Sequence, residues 1–209
     1  HVMPAGNTTA DVVPNCWVSE GIAGGNRPRA YYTTTSDYTG SGNYCLYFSN
    51  TGVAALPEMG APLNTLAISF RDYTPTPAAY GMVVGTVSSD ADGFSSTFVP
   101  YDTLVYNYNT NVYNRTVYFS DYTGTNTRIA FKNVAAVGST STHYIDNVVV
   151  DVLPACIPPQ NVHTTYLVSN EATLEWSRSN ASNYTVIYGV HGTEATLTDN
   201  TSTRSITLT

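Results

Sequence analysis

Thr65-Leu66-Ala67-Ile68-Ser69-Phe70-Arg71 alternates with a period of two. Leu66, Ile68 and Phe70 are large and apolar and fall on one face, while Ala67, Ser69 and Arg71 are small or polar and fall on the other. Successive side chains of an extended chain point to opposite faces, so this stretch predicts a strand with one face in a core. On either side of it, short runs rich in Val, Ile, Tyr, Phe and Thr recur between clusters of Gly, Pro, Asn, Asp and Ser. The predicted strands are Tyr44–Ser49, Thr65–Arg71, Gly81–Val87, Phe98–Val105, Asn114–Phe119, Arg128–Asn133 and His143–Asp151. No long amphipathic helix pattern interrupts them. Many short strands separated by turn residues predict an all-β sandwich. Val148-Val149-Val150-Asp151-Val152 is nearly continuous and predicts a strand buried on both faces.

Composition narrows the function classes. Of 209 residues, 11% are charged, with eight basic, fifteen acidic and a net charge of −7, whereas an average domain carries about 25%. Aromatic and β-branched residues are too plentiful for a disordered chain. Eight scattered basic residues argue against a nucleic-acid partner. No apolar run approaches the roughly 18 residues of a membrane span. The seventeen tyrosines and many Thr, Ser and Asn residues make the surface polar through hydroxyl and amide groups, the composition of an extracellular β protein. The chain begins at His1 with no initiator Met and no signal segment, which reads as a mature product or an excised fragment.

Leu153-Pro154-Ala155-Cys156-Ile157-Pro158-Pro159 predicts a boundary, because prolines cannot continue a central strand and favour a stiff extended linker. It divides the chain into 1–155, with six basic and eleven acidic residues (net −5), and 156–209, with two and four (net −2). The second part carries its own strand patterns at Gln160–Val162, Glu171–Trp176, Asn183–Tyr188 and Thr203–Thr209, with Leu174 and Trp176 on the core side. Cys16, Cys45 and Cys156 are an odd number with no Cys-x-x-Cys spacing. They read as buried small hydrophobes, with one internal bridge such as Cys16–Cys45 as the alternative.

An ordered series of motifs resembles a known module. Val13-Pro14-Asn15-Cys16-Trp17, Ser41–Ser49, Ala55-Leu56-Pro57-Glu58, Gly85–Asp90, Thr97–Pro100, Arg128–Lys132 and Tyr144-Ile145-Asp146-Asn147-Val148 follow one another in the order of the cleaved-adhesin or MAM-like jelly roll of Bacteroidetes surface proteins. The resemblance spans about 140 residues. From Pro158 onward the chain resembles the first part of a fibronectin type III domain. The Pro158-Pro159 start and the strand ending in Trp176 match its A and B strands, Tyr184–Gly189 its C strand and the Thr-rich end its E strand. The family's F and G strands have no counterpart, so the expected fold class is all-β, a jelly roll followed by an incomplete immunoglobulin-like sandwich.

No catalytic constellation is present in the sequence. The four histidines lie far apart without a ligand motif, and no Gly-x-Ser-x-Gly elbow occurs. The resemblance implies a non-enzymatic module with a structural calcium held between an acidic N-terminal strand and the closing strand. That implies Asp146, Asn147 and Asp11 as ligands, although Asn7-Thr8-Thr9-Ala10 stands where the family has acidic residues. Asp90-Ala91-Asp92-Gly93 reads as a turn, since no Glu completes a calcium loop. The candidate ligand-binding residues are Arg27, Arg29, Tyr31 and Tyr32, in a loop read over Arg27-Pro28-Arg29-Ala30-Tyr31-Tyr32, and Trp17, near it in sequence. Aromatic faces suit sugar rings, and arginines suit polar or acidic groups. The expectation is an extracellular or surface adhesion module with a glycan or a host or matrix protein as ligand. The alternatives are an accessory or spacer domain of a larger secreted hydrolase or peptidase, and a structural protein whose open sandwich takes a strand from a partner chain.

Overall fold

A computed structural model describes residues 13–22, 25–35, 38–40, 42–75, 81–88, 90–104, 106, 112–134 and 142–209. The chain divides into two compact units, His1–Val152 and Leu153–Thr209.

Among the described residues the first unit is a sandwich of ten strands: β1 (Val18–Gly21), β2 (Arg29–Tyr32), β3 (Tyr44–Ser49), β4 (Gly52–Ala55), β5 (Leu66–Tyr73), β6 (Met82–Val87), β7 (Val99–Thr103), β8 (Val112–Tyr118), β9 (Arg128–Asn133) and β10 (Thr142–Val152). They form two five-stranded antiparallel sheets, ordered β1-β4-β9-β6-β7 and β2-β3-β10-β5-β8. The chain crosses between the sheets repeatedly, as in a jelly roll. The core between them is filled from both sides. Leu46, Phe48, Ile68, Phe70, Val117 and Ile145 come from one sheet, and Ala54, Met82, Val84, Ile129 and Phe131 from the other. Leu66, Ile68 and Phe70 are all buried, as the alternation predicts.

The two outer faces are treated differently. On the first sheet, Val53, Ala55, Val87 and Ala130 are covered by Phe94 from a short 3-10 turn, Phe94–Thr97, which forms a second small core. On the second sheet the outer face carries tyrosines around the buried Cys45. The edge strand β7 contains Pro100, which blunts the edge against further pairing.

Three sequence expectations need correction. Val148–Val152 is not buried on both faces: Val149 is 56% exposed and Val152 69%. The strand lies inside an antiparallel sheet whose outer side faces solvent, so only alternate residues reach the core. Arg29–Tyr32, read as a binding loop, is the edge strand β2, paired to β3 with Arg29 opposite Tyr47 and Tyr32 opposite Tyr44. Of the cysteines only Cys45 is buried; Cys16 and Cys156 are exposed, and all three are free thiols.

The second unit contains β11 (Gln160–Val168), β12 (Glu171–Ser177), β13 (Tyr184–Tyr188), β14 (Leu197–Thr201) and β15 (Ser205–Leu208). They make a three-stranded sheet, β11-β12-β15, and a two-stranded one, β13-β14. Trp176 of β12 meets Tyr184 of β13 edge-on with centroids 4.9 Å apart, linking the two sheets. The proline-rich stretch is not a free linker. Ile157 is buried, its N–H donates to Asn180 Oδ1 at 2.7 Å, and its carbonyl accepts from Ser179 Oγ at 3.0 Å. Strand β14 escaped the sequence reading because Leu197-Thr198-Asp199-Asn200-Thr201 has one large apolar residue and resembles a loop.

Candidate functional site

The closing strand of the jelly roll is broken where its chemistry is richest. The β10–β5 register shifts between Asp146 and Val149, a β-bulge, and Asn147 adopts a left-handed conformation with φ of 51°. Asn tolerates that region better than most residues, and bulges re-aim side chains. The Asp146 carboxylate accepts two backbone hydrogen bonds there. Asn147 N–H donates to Oδ1 at 2.7 Å, and Gly40 N–H, from the β2–β3 connection, donates to Oδ2 at 2.7 Å. Further along that connection, Thr39 Oγ1 donates to the Gly42 carbonyl at 3.1 Å.

Beside the bulge lies an open cleft of about 400 Å³. Trp17, Tyr44, Leu46 and Ile145 supply apolar surface, and Asn43, Asp146 and Asn147 supply polar groups. The Trp17 ring stacks on Phe131, with planes 8° apart and centroids at 6.4 Å, so most of the indole belongs to the core. Tyr32, exposed on β2, meets Tyr44 edge-on at 5.3 Å.

The outer face of the same sheet carries a different arrangement. The registers align Arg29, Tyr47, Tyr144, Tyr73 and Val112 in one row across all five strands. Tyr31 lies 5.2 Å from Tyr47, and Tyr38 stacks on Tyr144 at 4.2 Å with planes 21° apart. The Arg29 guanidinium sits 5.3 Å from the centre of the Tyr47 ring, within cation–π range. Burial, reinforced by the neighbouring Tyr47, Tyr38 and Tyr31 phenols, holds the Tyr144 hydroxyl neutral well above its ordinary range. Beneath the row, burial and then the Asp146 charge push the Cys45 thiol up to about 12.

Arg27 stands apart from both places. It lines a smaller cleft of about 220 Å³ with Glu20, Asp90 and Asp92, which Trp17 also borders. Glu20 is held below the usual carboxylate range by hydrogen bonds from the Ser95 side chain and backbone, and Arg128 ties Asp90 at 2.8 Å. The five ligand-binding candidates therefore do not converge. Trp17 borders both clefts, Tyr32 lies against Tyr44, Arg29 and Tyr31 face outward, and Arg27 lies with the acidic residues. Tyr44, Asn43, Tyr38 and Tyr47 were not singled out from sequence. Tyr47 follows Cys45 with a period of two and therefore shares its outward face, a signal that was present in the strand.

Calcium was expected at Asp146, Asn147 and Asp11. Asp11 lies outside the described residues. Each Asp146 oxygen accepts one backbone N–H bond. Among the described residues no group of three or more His, Cys, Asp or Glu side chains could hold a metal ion. Calcium takes about six to eight oxygen ligands; of the three expected residues, the described structure sets Asp146 and Asn147 side by side at the bulge.

No family model matches the chain, and no curated protein matches its sequence. Among solved structures, the K2 cleaved adhesin domain of Lys-gingipain superposes with a TM-score of 0.51 at 9% identity, covering 70% of this chain and 94% of that one. The K1 cleaved adhesin domain of Lys-gingipain from Porphyromonas gingivalis W83 gives 0.48 at 14% identity, covering 68% and 94%. The TmCBM61 module in complex with β-1,4-galactotriose gives 0.41 at 13% identity, covering 66% and 90%. The chain thus shares the β-sandwich fold of a cleaved adhesin domain.

Proposed function

We propose that this chain is a non-enzymatic, extracellular adhesion or ligand-binding module, and that the cleft beside the β10 bulge holds a glycan. A shared fold does not carry a function, so the reading rests on the site. The observation that carries it is the pairing, in one open cleft of about 400 Å³, of aromatic surface from Tyr44 and Trp17 with Asn43, Asp146 and Asn147. Small-molecule sites are commonly about 300–1,000 Å³, mostly apolar, with a few convergent polar groups. A sugar ring presents C–H groups to an aromatic face and hydroxyls at its rim. A carboxylate accepts from hydroxyls, and a side-chain amide both donates and accepts. The low charge of the chain leaves neutral polar groups as the recognition surface.

A glycan array probed with the 209-residue chain tests this reading. The expected result is binding to a subset of neutral glycans, lost in Tyr44→Ala and weakened in Asn43→Ala, but kept in Tyr47→Ala on the opposite face of the sheet. A blank array, or loss in Tyr47→Ala with Tyr44→Ala unaffected, would overturn it. Trp17→Ala is a poor probe, because its ring is part of the core.

A further inference from the structure

We infer that Asp146 is a metal-free latch. Its carboxylate clamps the β2–β3 connection in place by backbone hydrogen bonds, where the resemblance implied a calcium ion, and so sets one wall of the cleft. The part concerning the cleft rests on the proposed function; the latch itself does not.

A carboxylate at a break in a strand needs positive partners. Here both oxygens have them, at 2.7 Å each, a length typical of charge-assisted bonds. Gly40 and Asp146 lie 106 residues apart in sequence, so their bond closes a tertiary contact. The two segments approach closely. A Cβ on Gly40 would run into the Asn147 amide and the aliphatic stem of Arg71. Asn147 reaches that position through its left-handed backbone, and the same turn points its own N–H back at Asp146.

Contacts on either side make Gly40 a point of control. Before it, Tyr38 is stacked on Tyr144 and packs against Tyr73, and Thr39 is buried. After it, Gly42 is tied to Thr39, and the Asn43 carbonyl accepts from Thr33 N–H at 2.9 Å. Gly42, Asn43 and Tyr44 line the cleft. The carboxylate therefore holds the middle of a connection whose far end supplies the polar and aromatic wall. Replacing it frees that wall while leaving the core strands paired. Asp146 acts on a ligand both directly and through this placement; the latch is its positioning role.

Amide hydrogen exchange by NMR on the full chain tests this, with and without calcium or EDTA. The expected result is a Gly40 amide that is protected in the wild type and unmoved by either addition. In Asp146→Ala its exchange rises by about tenfold or more, while amides of β3 and β5 keep their protection. Asp146→Asn, which keeps the shape and one acceptor oxygen, should retain protection at only one of Gly40 and Asn147. A calcium-dependent shift of the Gly40 or Asn147 amide, or a melting temperature raised by calcium, would overturn the metal-free assignment. Unchanged Gly40 exchange in both variants would overturn the latch. A blank glycan array with Gly40 protected removes the proposed ligand and leaves the latch standing. Unchanged glycan affinity in a variant with Gly40 released shows that the latch does not set the cleft.

Discussion

His143 Nδ1 lies 2.9 Å from Asp72 Oδ1, between neighbouring strands β10 and β5, with neither side chain reaching solvent. The Tyr106 hydroxyl donates to the other oxygen of Asp72. Asp72 continues the inward face begun by Ile68 and Phe70, so the apolar face of β5 ends in a buried acid. Such a group is tolerated only where donors satisfy it. Burial and the Asp72 carboxylate raise the Tyr106 hydroxyl far above its ordinary value, which keeps it a proton donor at all working pH.

Removing that acid should be costly. Asp72→Ala leaves Tyr106 and His143 buried without their shared acceptor, and the expected loss is about 3–5 kcal/mol. Asp72→Asn keeps one acceptor oxygen and should lose less. Urea denaturation measures both. A loss below about 1 kcal/mol for the alanine variant would place the network in contact with water.

The cysteines make a counting experiment. Cys16 and Cys156 are exposed, whereas Cys45 is buried with its thiol pushed up to about 12. A thiol reagent at pH 8 should modify two sulfurs at once and the third only after unfolding. Because the folded value lies above the ordinary 9.0, the Cys45 contribution to stability is full below about pH 9. It is lost as pH rises toward about 12. Three fast thiols in the native state would contradict the burial of Cys45.

Gly85→Ala should destabilise the first unit by about 1–3 kcal/mol. Gly85 lies where the β6–β7 register shifts, and a Cβ there would strike the Val99 carbonyl and the Phe98 ring. A glycine inside a strand often marks such a close backbone approach. Thermal melts of the variant, compared with Gly60→Ala at an open position, measure the difference.

In the second unit, Asn180 ties down the proline-rich stretch, with Oδ1 accepting from Ile157 N–H at 2.7 Å and Nδ2 donating to the Ala155 carbonyl at 2.9 Å. Asn180→Ala should release that stretch and speed cleavage within residues 153–159 by a protease of broad specificity. An unchanged cleavage pattern would mean that the burial of Ile157 alone holds the segment.

The strands were legible where the alternation was strong. Tyr44–Ser49 and Arg128–Asn133 were delimited from sequence to the residue. Val18–Gly21 and Arg29–Tyr32 were not recognised as strands. Each is four residues long and at a sheet edge, where few contacts impose an apolar pattern. The site was less legible. Trp17 and Asp146 were named from sequence, but in separate roles, and the structure places both on one cleft. Arg29 and Tyr31 were grouped with Tyr32 as one loop. As a strand, the segment turns Arg29 and Tyr31 to the outer face, and Tyr32 falls on the opposite side.

Sequence by itself determined that the chain is β throughout and which residues of β5 fill a core, because a two-residue period is a property of neighbours along the chain. Only the tertiary structure decided that Tyr47, Tyr144 and Tyr73 form a row, that Asp72 meets His143, and that Gly40 is held by Asp146. Those relationships depend on register between strands far apart in sequence. A shift of one residue exchanges the two faces of a strand, so the local pattern that makes a strand does not say what that strand will touch.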